Sequence, residues 1–359
     1  MLAHPPEPAA ARTPLAARAD APAALPVLPA FAGLTPLTWR RARRTDIRRI
    51  HALVAEAGRV DHPRTRLAKD QIALGLSGAH FSRRTDSMIA LGPDGTAIAF
   101  GTAKRTEDPT TEVEVALEGT VRPDHRGLGV GRALLSWQEA RARQILTETG
   151  GDLPAIITVA SREANPQNQA LYASAGFAPV RWWLELWRPL SAELPATALP
   201  AGIALVPFTA RRSEATRAAV NDAFRDHWGT QPITRREWEA GGRASAFAPK
   251  LSRLAIAGGG TLSDPSRVVG FALSDVDRDA WAANGGPFGE LGMIGVVRGW
   301  RGRGLSTALI ADTLRAYRDA GLDRAMLNVD AENPSGALGM YERLGFRAED
   351  RAVTFAKRV

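Results

Sequence analysis

Two short runs carry much of the chemistry open to this chain. Residues 125–135 read HRGLGVGRALL and residues 300–310 read WRGRGLSTALI. Each sets Arg and Gly between a strand-like segment and an apolar helical one. The first amides of a helix lack backbone partners and carry partial positive charge. Glycines at that junction permit positive φ and let an anion approach the main chain. The chemistry this suits is phosphate binding. A tight strand-to-helix turn with no ligand reads the same way, so neither run is decisive alone. The spacing departs from the dinucleotide-binding G-x-G-x-x-G, and no Gly-Lys-Ser/Thr follows as in a P-loop.

Proton-moving groups stand at fixed distances from these runs. The chain has three tyrosines. Tyr172 and Tyr341 hold matching places in NPQNQALYASAGF (165–177) and NPSGALGMYERLGF (333–346), and Tyr317 lies in the second half's long helix. Glu290 is six residues before Val296 in FGELGMIGVV. Strand alternation sets it on one face with Gly292, Ile294 and Val296, provided no bulge intervenes. The same count back from Val121 falls on Val115, with Glu114 and Glu118 together on the other face. The stretch DAFRDHWG ends a helical segment. Asp226 there could pair with a cationic amine, and His227 or Trp228 could line a pocket. A helix end with its His near the dipole and its Trp in the core fits equally. No Asp, Glu or His spacing suggests a metal site. Cysteine is absent, which excludes disulfides and thiolate nucleophiles and fits a cytoplasmic, reducing setting.

The elements that must position these groups occur twice. Each half opens with an extended piece (LTWRRA; IALVPF) and a polar-apolar helix (TDIRRIHALVAEAG; SEATRAAVNDAF). Strands follow (SMIALG, AIAFGTAKR; RLAIAGG, RVVGFALSDV), and a further strand leads into each Arg-Gly run (TEVEVALEGTV; FGELGMIGVV). Then come a helix, a strand (PAIITVA; RAMLNVD) and the N-P block. The whole domain is therefore duplicated. A chain of 359 residues accommodates two such domains. We expect an Ala/Pro-rich, disordered lead-in over 1–36, domains over 37–188 and 203–359, and a Pro-rich linker over 189–202. The composition, 45% hydrophobic and 23% charged, is that of a soluble globular protein. No run nears the roughly 18–20 apolar residues of a membrane span. The net charge of +8 comes from scattered arginines. No aromatic-interleaved basic tract points to nucleic acid.

This order of elements, with R-x-x-G-x-G/A opening a helix and N-P…L-Y…G-F closing each half, resembles the GNAT superfamily of N-acetyltransferases. The resemblance covers both halves. It implies an α/β (α+β) fold of two tandem GNAT domains, each a mixed, mostly antiparallel sheet flanked by helices. It also implies acetyl-CoA as co-substrate. Its contacts would come from Val121, Arg126, Gly127, Gly129, Gly131, Asn165 and Tyr172 in the first half. In the second they would come from Val296, Val297, Arg301, Gly302, Arg303, Gly304, Leu305, Ser306 and Asn333. Ser306 departs from the usual Gly or Ala. The tandem arrangement with Glu290 is similar to the mycothiol synthase branch. That likeness implies a catalytic second half, with Glu290 as base and Tyr341 as the acid for the departing thiolate. The first half, whose run is the better preserved, stays in contention. The expected acceptor is a primary amine of a small molecule, with Asp226, His227 and Trp228 at its pocket. Protein or peptide acetylation and a silent acyl-CoA-binding regulator are the alternatives. We expect a monomer with an internal pseudo-dimer, and neither membrane nor nucleic-acid partners.

Overall fold

Residues 13–29, 36–61, 69–194, 197–225, 227–258, 268–333 and 336–359 are described in a computed structural model. In the first half, α1 (Leu15–Arg18) precedes β1 (Thr38–Arg40), α2 (Ile47–Asp61), α3 (Lys69–Gly75) and α4 (Arg83–Asp86). Next come β2 (Ser87–Leu91), β3 (Ala97–Arg105), β4 (Val113–Val121), α5 (Val130–Thr149), β5 (Ala155–Arg162), α6 (Pro166–Ser174) and β6 (Ala178–Pro189). The second half repeats this with β7 (Ile203–Pro207), α7 (Ser213–Ala223), α8 (Arg235–Gly241), β8 (Arg253–Ala257), β9 (Val268–Asp275) and β10 (Phe288–Val296). It ends with α9 (Leu305–Asp319), β11 (Arg324–Asp330), α10 (Ala337–Arg343) and β12 (Arg347–Arg358).

Alternation builds the strands that matter most. Along β4, Val113, Val115 and Leu117 are buried, and Glu114, Ala116 and Glu118 take the opposite face. The buried set packs under α5 with Leu135, Ala142 and Ile145. In the second half Leu291 and Val296 do the same under Leu305, Leu309 and Leu314 of α9. Both halves are mixed α/β, with antiparallel pairing throughout except between β4 and β5 and between β10 and β11.

The twelve strands form one sheet in the order β1-β2-β3-β4-β5-β12-β6-β11-β10-β9-β8-β7. The last strand of each half is exchanged. β12 lies against β5 of the first half, and β6 lies against β11 of the second. The two exchanged strands pair with each other at the centre, where Trp183 faces Ala352. The boundaries read from the sequence thus need correction in space: residues 178–189 complete the second half's sheet. The hairpin-free exchange has no local signal, because any apolar strand fits either neighbour.

A polar cluster brackets this centre. Arg162 of β5 reaches Asp350 of β12 (3.2 Å) and Glu185 of β6 (3.1 Å). Arg181 of β6 reaches Asp330 of β11 (2.8 Å) and Glu332 (2.9 Å).

The lead-in also needs correction where it is described. Leu15 and Ala19 are fully buried. Arg143 donates to Ala19 O and Gln144 to Pro22 O, tying the segment along α5. Arg18 donates to the backbone oxygens of Val359 and Leu153. Apolar residues set among the prolines give this stretch a core to join, which its composition concealed. Residues 1–12 and 30–35, also read as lead-in, lie outside the described residues.

Candidate active site

Both Arg-Gly runs form the predicted strand-to-helix turn. Gly127 and Gly129, and Gly302 and Gly304, all have φ between 75° and 91°. Gly129 and Gly304 are the N-cap residues of α5 and α9. Added β-carbons at Gly127, Gly302 and Gly304 would meet nothing within 4 Å. Open space over amides with left-handed backbone is what a pyrophosphate requires, so these residues fit coenzyme A. The arginines of the runs brace the turns. Arg126 holds Asp61 through both terminal nitrogens (2.7 Å each) and donates Nε to Val121 O. Arg301 donates to Val296 O and Ala223 O. Arg303 stacks over Trp300 at 4.7 Å. Leu305 is buried in the core below, with Ser306 beside it in the first turn of α9. The amide of Val297 is bonded to Val269 O. Gly131 packs against Leu171 and Val121. Asn165 caps α6 and donates to Asp61, while Asn333 turns the chain after β11.

The strands before the runs differ. β10 has a bulge between Leu291 and Met293, where its register against β9 shifts by one residue. The condition placed on Glu290 therefore fails: it shares a face with Met293 and Gly295, opposite Leu291, Ile294 and Val296. β4 runs against β3 without a shift. The bulge absorbs one residue, so the counterpart of Glu290 is Ala116 rather than Val115. Glu290 pairs with Asp275 and Met326, and Ala116 pairs with Lys104 and Thr158. Glu114 is occupied by the Thr158 hydroxyl at 2.6 Å. The first half has no carboxylate at the position that matches Glu290, which Ala116 occupies.

Glu290 is held from several sides. Asn328 Nδ2 lies 3.4 Å from its Oε1, and the Tyr317 hydroxyl donates to its carbonyl at 2.8 Å. The Tyr317 ring lies where a side chain on Gly289 would stand, 2.6 Å from an added β-carbon. Tyr317 thus fixes the backbone just before the bulge. Tyr317→Phe should lower stability by about 1 kcal/mol in urea unfolding, the effect of orphaning one buried acceptor. Burial and the nearby Asp275 push the Glu290 carboxyl up to about 7. Burial also raises Asp275 and Asp277. Glu290, Asp275, Asp277 and Glu185 line a cavity of about 740 Å³. Glu185 comes from the exchanged strand of the first half, and Gln71 and Leu74 of α3 add a second wall from that half. Asp275 closes an apolar run, a faint signal in the sequence. Glu185 had none, since nothing local places β6 here.

The tyrosines sit as matched. Tyr172 donates to Ala160 O at 3.4 Å, and Tyr341 makes no hydrogen bond among the described residues. Burial raises both phenols to about 12. His227 and Trp228 fall outside the cavity lining. They pack on Trp183, with ring centroids 6.1 and 6.4 Å away, as helix-end aromatics. Asp226 lies outside the described residues.

A doubled sheet with a glycine turn capping the helix after each fourth strand is the architecture of a tandem acyltransferase. Family models agree: "Acetyltransferase (GNAT) domain" matches residues 86–179 and "Acetyltransferase (GNAT) family" matches 214–346. The chain belongs to the GNAT family of acetyltransferases, in its tandem form, and is an N-acetyltransferase. It is 31% identical to the mycothiol acetyltransferase of Parafrankia sp. over 90% of this chain and 99% of that one. It is also 31% identical to the mycothiol acetyltransferase of Thermobispora bispora, over 84% and 92%. A solved GCN5-related N-acetyltransferase from Sphaerobacter thermophilus matches with a TM-score of 0.64 and 24% identity, covering 90% of this chain and 97% of that one. That likeness shows the fold. No helix among the described residues is long and apolar enough to cross a membrane.

Proposed function

We propose that the second half transfers an acetyl group from acetyl-CoA to a primary amine of a small molecule. The observation that carries this is Glu290, which lines an acidic cavity with Asp275, Asp277 and Glu185 and is raised to about 7, on the strand that leads into the open glycine turn of Gly302 and Gly304. Gly302, Gly304 and the first turn of α9, with Arg303 at the rim, would hold the co-substrate, which supplies the activated acyl group. Glu290 accepts the proton of the attacking amine, and a base with that pKa is matched to neutral pH. Tyr341, fully protonated at neutral pH, donates to the departing sulfur. The relatives named for mycothiol support a small-molecule acceptor, as does a cavity of about 740 Å³. The first half serves as scaffold: it lends Glu185, Gln71 and Leu74 to the acceptor cavity and has Ala116 in place of a base.

The test is thiol release from acetyl-CoA with a panel of small amines, followed across pH. kcat/KM should rise with a single ionisation near 7, the value of the free enzyme's base. A rate independent of pH through that range would remove Glu290 from the role.

A further inference from the structure

Among the described residues, six carboxylates and one guanidinium, that of Arg243, line the cavity over Glu290. Four of the six carboxylates already have a partner. Glu185 accepts from Trp187 Nε1 at 2.8 Å and meets Arg162 at 3.1 Å. Glu237 takes the amide and the hydroxyl of Thr234, both at 2.9 Å. Glu239 pairs with Arg243 at 3.4 Å, which matches the charge of that cation. Asp277 accepts from the amide of Asp279 at 3.0 Å. The other two are Glu290, with Asn328 3.4 Å away, and Asp275. No hydrogen bond or ion pair reaches the Asp275 carboxylate among the described residues, and burial raises it accordingly. Neutral polar side chains (Gln71, Ser213, Asn284) share the rest of the lining with aromatic ones, so unmet negative charge is what marks this end.

Asp275 and Glu290 are cross-strand partners on β9 and β10. Glycine keeps room for the first of them: a β-carbon at Gly292 would stand 2.7 Å from Asp275 Oδ2. The first half supplies an internal comparison. Its pair at this position is Lys104 and Ala116, a cation in place of Asp275 and a methyl group in place of Glu290.

On the reading above, this cavity receives the acceptor amine. We infer that Asp275 binds the acceptor as its ammonium ion, beside the base that later takes the proton, and that the acceptor has no carboxylate next to its amine. An aliphatic amine arrives charged at neutral pH. The Glu290 carboxyl, raised to about 7, is protonated in roughly half the molecules there. A separate anion holds the amine whichever state Glu290 is in. A carboxylate on the acceptor would be set against Asp275 and repelled. Acetylation removes the positive charge, so the amide product loses this contact.

Calorimetric titration into the full chain, with coenzyme A present, tests this with probes matched in shape. Each amine that binds should do so roughly tenfold more tightly, or better, than its neutral twin, the scale of a hydrogen bond to a charged group. The pairs are 2-phenylethylamine with 2-phenylethanol and glucosamine with glucose. Phenylalanine, which adds a carboxylate to phenylethylamine, should bind worse than it. Asp275→Asn should erase the margin and leave the thermal midpoint equal or higher, because an unpaired buried charge is removed. Binding of neither amine, equal affinities within a pair, or phenylalanine binding as well as phenylethylamine overturns the inference. So does a margin that survives Asp275→Asn; its loss in Glu290→Gln instead would make the base its own anchor. The comparison within each pair needs no turnover, so it fails separately from the thiol release that tests acetyl transfer.

Discussion

Glu290→Gln should lower kcat by roughly 10²–10⁴-fold, the range of a lost general base, and should make the protein more stable at alkaline pH. The two effects share one cause. Burial and the carboxylate of Asp275 raise the Glu290 carboxyl from its ordinary 4.5 to about 7. Between those values the folded protein keeps a proton that the unfolded chain gives up. This group favours folding most below about 4.5, and its contribution falls as pH rises through 7. Above that, the folded state carries a carboxylate it disfavours, by roughly 1–3 kcal/mol. Glutamine keeps the shape and removes the charge. Thermal melts of the two proteins should converge at low pH, separate between about 4.5 and 7 and stay apart above that, with the variant higher. A variant that is less stable at every pH would mean that Glu290 holds the bulge together instead of being held by it.

Gly304→Val should abolish measurable acetyl-CoA binding to the second half, a loss of roughly a hundredfold or more, and take the activity with it. The backbone at Gly304 is left-handed, φ 75°, so valine costs about 1–2 kcal/mol of strain. Nothing in the protein lies within 4 Å of the new β-carbon, so the fold survives. The added methyls occupy space that a pyrophosphate over the α9 amides needs. Gly129→Val imposes the same strain on α5, where φ is 91°. On the assignment of the chemistry to the second half, it should leave kcat and the KM for acetyl-CoA unchanged. Steady-state kinetics on the pair decide between the halves. Loss of turnover in the Gly129 variant alone would transfer the chemistry to the first half.

How far the sequence reveals this site varies from residue to residue. The duplication, the strand before each glycine turn and the turns themselves are legible because each rests on local pattern: alternation, helix period, or glycine where φ must be positive. Glu290 stands out for the same reason. Its surroundings do not. The bulge after Leu291 leaves no mark in FGELGMIGVV beyond a glycine, yet it turns Glu290 to the cavity and makes Ala116 its counterpart. Glu185 enters the site only because β6 crosses to the other half, a pairing between residues far apart in sequence. His227 and Trp228 mislead for the opposite reason. Their types suit a pocket, but Trp183, brought by the same crossing strand, gives them a packing partner. The packed residues among 13–29 were hidden by composition alone: a proline-rich average obscures one well-placed leucine.

The ion pairs at the sheet centre amount to a recognition code between the halves. Around the Trp183–Ala352 pairing, Arg162 on β5 corresponds in position to Asp330 on β11, and Arg181 on β6 to Asp350 on β12. The first half supplies both arginines and the second both aspartates. Two first halves joined in this way would set arginine against arginine at both sites, and two second halves would set aspartate against aspartate. Only unlike halves satisfy all four charges, and like pairing is penalised by repulsion. A symmetric dimer of either half alone would therefore carry two like-charged contacts at this seam, where the fused chain has two ion pairs.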